Sequence, residues 1–166
     1  MTTWEITNRR FGGVWDPGPH RLEAAGRKGI PQVVAPGMVD VIAFVREAVP
    51  ENFRDRKLIK HTESVVVAPL NREEIAHVAE VMAEKLNAAT GPTAVIIPTK
   101  GFSPGGKEGR VYHDPERDRH FTEVLKGKLK PDITFVEVDA YINDALFAEK
   151  AAALLCELMQ SEKGGR

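Results

Sequence analysis

The residues best suited to chemistry in this chain sit in one loop, Gly101-Phe-Ser-Pro-Gly-Gly106-Lys107-Glu-Gly109, directly after the apolar run Pro92-Thr-Ala-Val-Ile-Ile-Pro98. A β-branched run ending in a loop with four glycines and a lysine reads as a buried strand handing over to an anion-cradling loop. Glycine lets backbone N–H groups come close to a ligand oxygen, and Lys107 adds a point charge, so phosphate or carboxylate is the natural guest. The spacing approaches that of a phosphate-binding P-loop. Glu108, however, stands where that motif needs a hydroxyl for magnesium, and no helix opens directly after it. The alternative reading is a long flexible surface loop.

Three carboxylates, Glu137, Asp139 and Asp144, form a second constellation, an oxygen set for a magnesium ion between protein and phosphate. Strand alternation puts Glu137 and Asp139 on one face, where they would share a proton or a cation. The five histidines show no metal-ligand spacing. His61 and His113 fall in loops without a partnered serine or cysteine nucleophile. The single cysteine, Cys156, lies in an apolar helical pattern and reads as a small core residue; no intrachain disulfide is possible.

The elements that must position these groups follow from periodicity. Residues 3–10 read as a short helix, residues 11–19 as a turn-rich loop, and residues 20–26 as a helix closed by glycine. Residues 31–35 read as a strand, and apolar positions 39, 42, 45 and 49 predict a helix ending at Pro50. Residues 51–63 are irregular and polar. A second strand spans residues 64–68, and Asn71 with Glu74 forms a capping box for a helix with a stripe of Ile75, Val78, Ala79, Met82 and Leu86. The third strand precedes the glycine loop. Asp114-Pro115 starts a helix with Phe121, Val124, Leu125 and Leu129 on its apolar face. Residues 133–138 are the fourth strand, and Asn143 or Asp144 begins a last helix lined by Ala148, Ala151, Ala152, Leu155 and Leu158.

Strands alternating with amphipathic helices predict an α/β fold, a Rossmann-like doubly wound domain with a small, mostly parallel sheet. A length of 166 residues suits one domain, taken as residues 1–160 with a flexible tail at 161–166. Four strands are few for this class, so part of the surface is expected to be completed by another chain. Lys+Arg 23 against Asp+Glu 24 supplies no global basic field for nucleic acid or an anionic membrane. Without a signal-like amino terminus or an apolar run of about 18 residues, a soluble, cytoplasmic protein is expected. Ligands of such folds bind beyond the carboxyl ends of the strands, so the loops at 36–40, 69–72, 99–109 and 139–144 should converge. Asn71, Asp114 and Asp144 are equally explained as helix caps.

Longer patterns carry a resemblance. Phe11-Gly-Gly-Val, Gly18-Pro-His-Arg-Leu-Glu-Ala-Ala-Gly26, Gly29-Ile-Pro-Gln-Val-Val-Ala-Pro-Gly37 and Val39-Asp40 resemble the carboxyl-terminal domain of the Tm-1-like, UPF0261 family. So do Lys85-Leu-Asn-Ala-Ala-Thr-Gly91-Pro92, Gly101-Phe-Ser103, Asp114-Pro115-Glu116 with Asp118, and Ile142-Asn-Asp144 with Phe147-Ala148. The resemblance spans nearly the whole chain. It implies a Rossmann-like domain from a family described as ATP-binding, whose plant member inhibits tobamovirus RNA replication. Members usually carry another α/β domain ahead of this one. A separate subunit supplying that domain, or a homo-oligomer, is therefore the expected partner.

The chain departs from the family at Thr62, Pro69 and Tyr141, where the family tends to have asparagine, arginine and histidine, and at residues 104–108, which replace an aspartate. Lys107 or Lys100 would restore some of the lost positive charge. The expected function is binding of ATP, another nucleotide or a small phosphorylated metabolite, with magnesium as an optional companion. The expected ligand contacts are Gly12, Gly13, Gly18, Arg21, Gly37, Asp40, Lys100, Gly101, Ser103, Gly105, Gly106, Lys107, Asn143 and Asp144, with Glu137 and Asp139 as acid or metal positions. Two further readings stand beside it: an assembly subunit inactive alone, and an acid-base enzyme working through Glu137, Asp139 and His61.

Overall fold

A computed structural model describes residues 4–163. Its centre is a three-stranded parallel sheet, ordered β1 (Gln32–Val34), β5 (Thr93–Pro98), β6 (Thr134–Val138). All six residues of β5 are buried, as a central strand covered on both faces requires. Alternation splits the sheet. Val34, Val95 and Ile97 face α4 (Arg72–Asn87) and α5 (Pro115–Lys128), while Val33, Ile96 and Val138 face α6 (Ala145–Lys163). Helices therefore cover both faces, the arrangement of a Rossmann-like α/β fold.

The helix starts follow their local chemistry. Asn71 accepts from the Glu74 N–H while the Glu74 carboxylate accepts from the Asn71 N–H, which closes the expected capping box at α4. Asp114 accepts from the Arg117 N–H ahead of Pro115, and α5 begins there. Ile75, Val78, Ala79, Met82 and Leu86 are all buried, as their spacing predicts.

The predicted helix at residues 39–49 is instead a strand, β2 (Val41–Val45), followed by a 3-10 turn at Arg46–Ala48. Both of its faces are buried. Val41 and Ala43 meet Val65 and Val67, while Ile42 and Phe44 enter the main core, and such a run carries no period that separates strand from helix. The strand expected at residues 64–68, β4 (Val65–Pro69), pairs antiparallel with β2 and with the short β3 (Ile59–Lys60) in a second sheet. No helical crossover lies between β2 and β4 to turn the chain parallel; α3 (Glu51–Arg54) is a single turn.

The ends differ in smaller ways. The first helix, α1, spans Trp4–Phe11, and Met1 to Thr3 lie outside the described residues. The helix expected at 20–26 is reduced to α2 (Ala24–Arg27), and the positive φ that ends it belongs to Gly29 rather than Gly26. α6 runs through Lys163, into the expected tail, and residues 164–166 lie outside the described residues. Its inward stripe is Phe147, Ala151 and Leu154, whereas Ala148, Ala152 and Cys156 are exposed. Among the described residues, no helix is long and apolar enough to cross a membrane.

Candidate functional site

The loops at the carboxyl ends of the strands converge, and backbone hydrogen bonds tie them together. Thr99 and Lys100 donate to the carbonyls of Val138 and Ala140 at 3.0 and 3.1 Å, and Ile142 donates to Gly101 at 3.3 Å. Met38 donates to Phe102 and Leu70 donates to Asp40, each at 2.9 Å. Gly101 has φ +118, a conformation that an L side chain rarely adopts, so glycine is required where the chain leaves β5.

Beneath the loop lies a buried polar knot. The Ser103 hydroxyl donates to Asp40 Oδ2 at 2.5 Å and accepts from the Gly106 N–H at 3.1 Å. A Cβ on Gly106 would lie 2.3 Å from Asp40 Oδ2, so this glycine allows the backbone to close on the carboxylate. Arg117 stands 3.8 Å from the same oxygen and donates to Asp118 Oδ1 at 2.8 Å; its side chain is 3% exposed. Tyr112 joins the knot through Ser103, its ring pressed against Gly105. Burial pushes the Asp40 carboxyl above the usual carboxylate range, against the pull of Ser103 and Arg117. Burial likewise lifts Asp118 to about 6, with Arg117 opposing it. Asp40 Oδ1 is buried and has no hydrogen-bond partner among the described residues.

The far side of the loop opens onto a cleft of about 900 Å³ between β3 and residues 104–112. Its walls include Lys60, His61, Lys107 and Arg110, and none of its described lining residues is an aspartate or a glutamate. Gly105, Gly109, Tyr112 and Tyr141 complete the polar and aromatic surface. The Lys107 ammonium lies 4.8 Å from the centroid of the Tyr141 ring, and Lys57 Nζ donates to the Val111 carbonyl at 3.4 Å. Lys60 pairs with Glu63 at the rim. The lysine and arginine side chains give this cavity a positively charged lining.

Of the expected site residues, Gly105 and Lys107 line this cleft, while Asp40, Gly101, Ser103 and Gly106 form the buried floor beside it. Gly37 donates to Ala35 in the turn after β1. Asn143 donates to the Tyr141 hydroxyl at 2.9 Å, and Asp144 accepts from the Tyr141 N–H at 2.9 Å, so both shape the wall that carries Tyr141. Gly13 lies against β2, approaching Asn8 and Ala43 too closely for a Cβ, while Gly12, with φ +76, has open space where a Cβ would stand. Gly18 and Arg21 line a separate depression with Ile6, Val81 and Lys85. Lys100 pairs with Asp139 at 2.9 Å and Lys126 with Glu137 at 3.1 Å. Each acid of the expected cation pair thus has its own lysine, and no group of three or more His, Cys, Asp or Glu among the described residues could hold a metal.

Sequence reasoning missed Arg117, Arg110, Lys60 and Tyr112. Arg117 sits in the first turn of α5, where a helix-surface reading is natural, and only the fold turns it onto Asp40. Lys60 and Tyr112 enter through the second sheet and a long-range loop contact, for which local spacing carries no signal.

The fold and its convergent carboxyl-end loops define an α/β Rossmann-like domain with a single-sided cleft. Comparison with known proteins supplies the family: residues 1–159 match the model of the "Uncharacterised protein family (UPF0261) C-terminal domain". The chain belongs to the UPF0261 family. It is similar to a UPF0261 protein of Clostridium tetani, 42% identical over 162 residues that make up 96% of this chain and 40% of that protein. A UPF0261 protein of Brucella melitensis is 41% identical over 90% of this chain and 36% of its own length. The ToMV resistance protein Tm-1(GCR237) of Solanum lycopersicum is 34% identical over 89% of this chain and 20% of its own length. The chain thus spans about two fifths of the length of the bacterial relatives it matches.

Proposed function

We propose that this domain binds a phosphorylated small molecule, a nucleotide such as ATP included, in the cleft beside the glycine loop. The carrying observation is the set of cations, Lys60, Lys107 and Arg110, with the His61 ring beside them, around an open cavity free of described carboxylates. Lys107 and Arg110 belong to the loop, so the phosphate end of the ligand lies against them, with the small Gly105 and Gly109 giving room for close approach. Arg110 offers a forked contact to two phosphate oxygens, and Lys107 a point charge. Tyr112 and Tyr141 give the remainder of the ligand a ring surface. Asp40, Ser103 and Gly106 act as positioning residues, holding the loop without touching the ligand.

Isothermal titration with inorganic phosphate, ADP and ATP, with and without magnesium, tests this reading. Saturable binding that weakens with added salt, and weakens several-fold in Lys107→Ala and Arg110→Ala, supports it. Binding unchanged in both variants, or none at millimolar ligand, removes it. The span of two fifths of the bacterial relatives favours a second role, in which the domain works within a longer architecture completed by another domain or chain.

A further inference from the structure

The strand β6 is an edge with its backbone unpaired on one side, and the chemistry along that edge is self-complementary. Val138 accepts from the Thr99 N–H, so Val138 turns its backbone groups toward β5, and by strand alternation Val136 and Thr134 do the same. Phe135 and Glu137 therefore point their N–H and C=O groups outward, where no strand pairs with them among the described residues. The face beside them is also thinly covered: α6 lies against β1 and β5, and Val136 is only half-buried. An open edge of this length is a template for another strand.

We propose that a second copy of this chain pairs antiparallel with β6 across a two-fold axis at Val136. In that register Phe135 faces the partner's Glu137 as a hydrogen-bonded pair, and the arrangement repeats on the other side of the axis. Charge selects this register. Lys126 already stands over the Phe135 ring at 5.2 Å and 3.1 Å from its own Glu137, so the incoming carboxylate arrives beside a fixed ammonium. Two lysines and two glutamates then alternate along the junction, and the half-buried valines close against each other on the α6 face. Two three-stranded sheets become one of six strands, a usual size for this architecture. This dimer draws on none of the residues that line the cleft.

Sedimentation and light scattering of the 166-residue chain from micromolar to millimolar concentration provide the test. The expected result is a mass of two chains and a melting temperature that rises with concentration. Glu137→Pro removes one outward N–H and leaves the β5–β6 bonds in place, so it is expected to give a folded monomer by circular dichroism. Glu137→Lys should weaken the dimer at least tenfold, and the double exchange Lys126→Glu with Glu137→Lys should restore it, which decides the matter even if the proline variant fails to fold. A wild-type chain that stays monomeric overturns the proposal, including one whose edge is taken only by a companion domain supplied in trans. So does a dimer indifferent to the charge exchange.

Discussion

At its inner end the loop between β5 and α5 is pinned on a buried carboxylate, while its outer end forms the wall of an open, cationic cleft. Ser103 is 1% exposed and Asp40 is fully buried, yet Lys107, only a few residues along the same loop, is exposed over the Tyr141 ring. Glycine serves both ends for different reasons. Gly106 allows backbone to close on Asp40, and Gly109, with φ +76 and open space around it, lets the chain turn at the cleft. The contrast teaches that a glycine-rich loop with polar residues holds two jobs, one internal and one facing solvent.

The largest expected effect comes from the inner end. Arg117→Met strips two buried carboxylates of their counter-charge and should cost about 3–5 kcal/mol in denaturant unfolding; a loss below about 1 kcal/mol would show that Asp40 and Asp118 are held by other means. Gly106→Ala comes next. Its methyl meets Asp40 Oδ2 at 2.3 Å, and a loss of about 1–3 kcal/mol is expected, whereas Gly109→Ala should be strained only by its backbone angle.

Titration of Asp118 gives a pH signature of the pinned end. Its folded pKa, about 6, lies above the usual 3.8, so its stabilising share is complete below pH 3.8 and is lost as pH rises to about 6. Asp118→Asn should therefore gain on the wild type between those limits, by on the order of 2 kcal/mol, and run parallel to it above them. A difference flat with pH would mean that Arg117 balances burial, and one of the opposite slope that it outweighs burial. The smallest effect on stability belongs to the outer end: Lys107→Ala should move unfolding by no more than about 0.5 kcal/mol while weakening phosphate binding roughly five-fold. Equal destabilisation by Lys107→Ala and Gly106→Ala would dissolve the contrast between the two ends.

Much of the scaffold was legible because its signals are local. The capping box of Asn71 and Glu74, the Asp114-Pro115 start and the stripe of Ile75, Val78, Ala79, Met82 and Leu86 each complete themselves within a few residues. The segment at 39–49 was not, since a strand buried on both faces looks apolar at every period. The apolar neighbours of Cys156 point to a core position, but α6 presents that side outward. Within the site, Lys107 and the glycines were visible as a loop, but their division between floor and cleft was not.

The sequence by itself determined the α/β class, the starts of α4 and α5, the convergent loops and the family, because hydrophobic period, caps and long shared motifs are written in neighbouring residues. Only the tertiary structure decided that Arg117 and Ser103 would be spent on Asp40, that Lys60 would face Lys107 across a cleft, and that β6 would end the sheet unpaired. Those relations join residues tens of positions apart, and burial and charge act across space rather than along the chain.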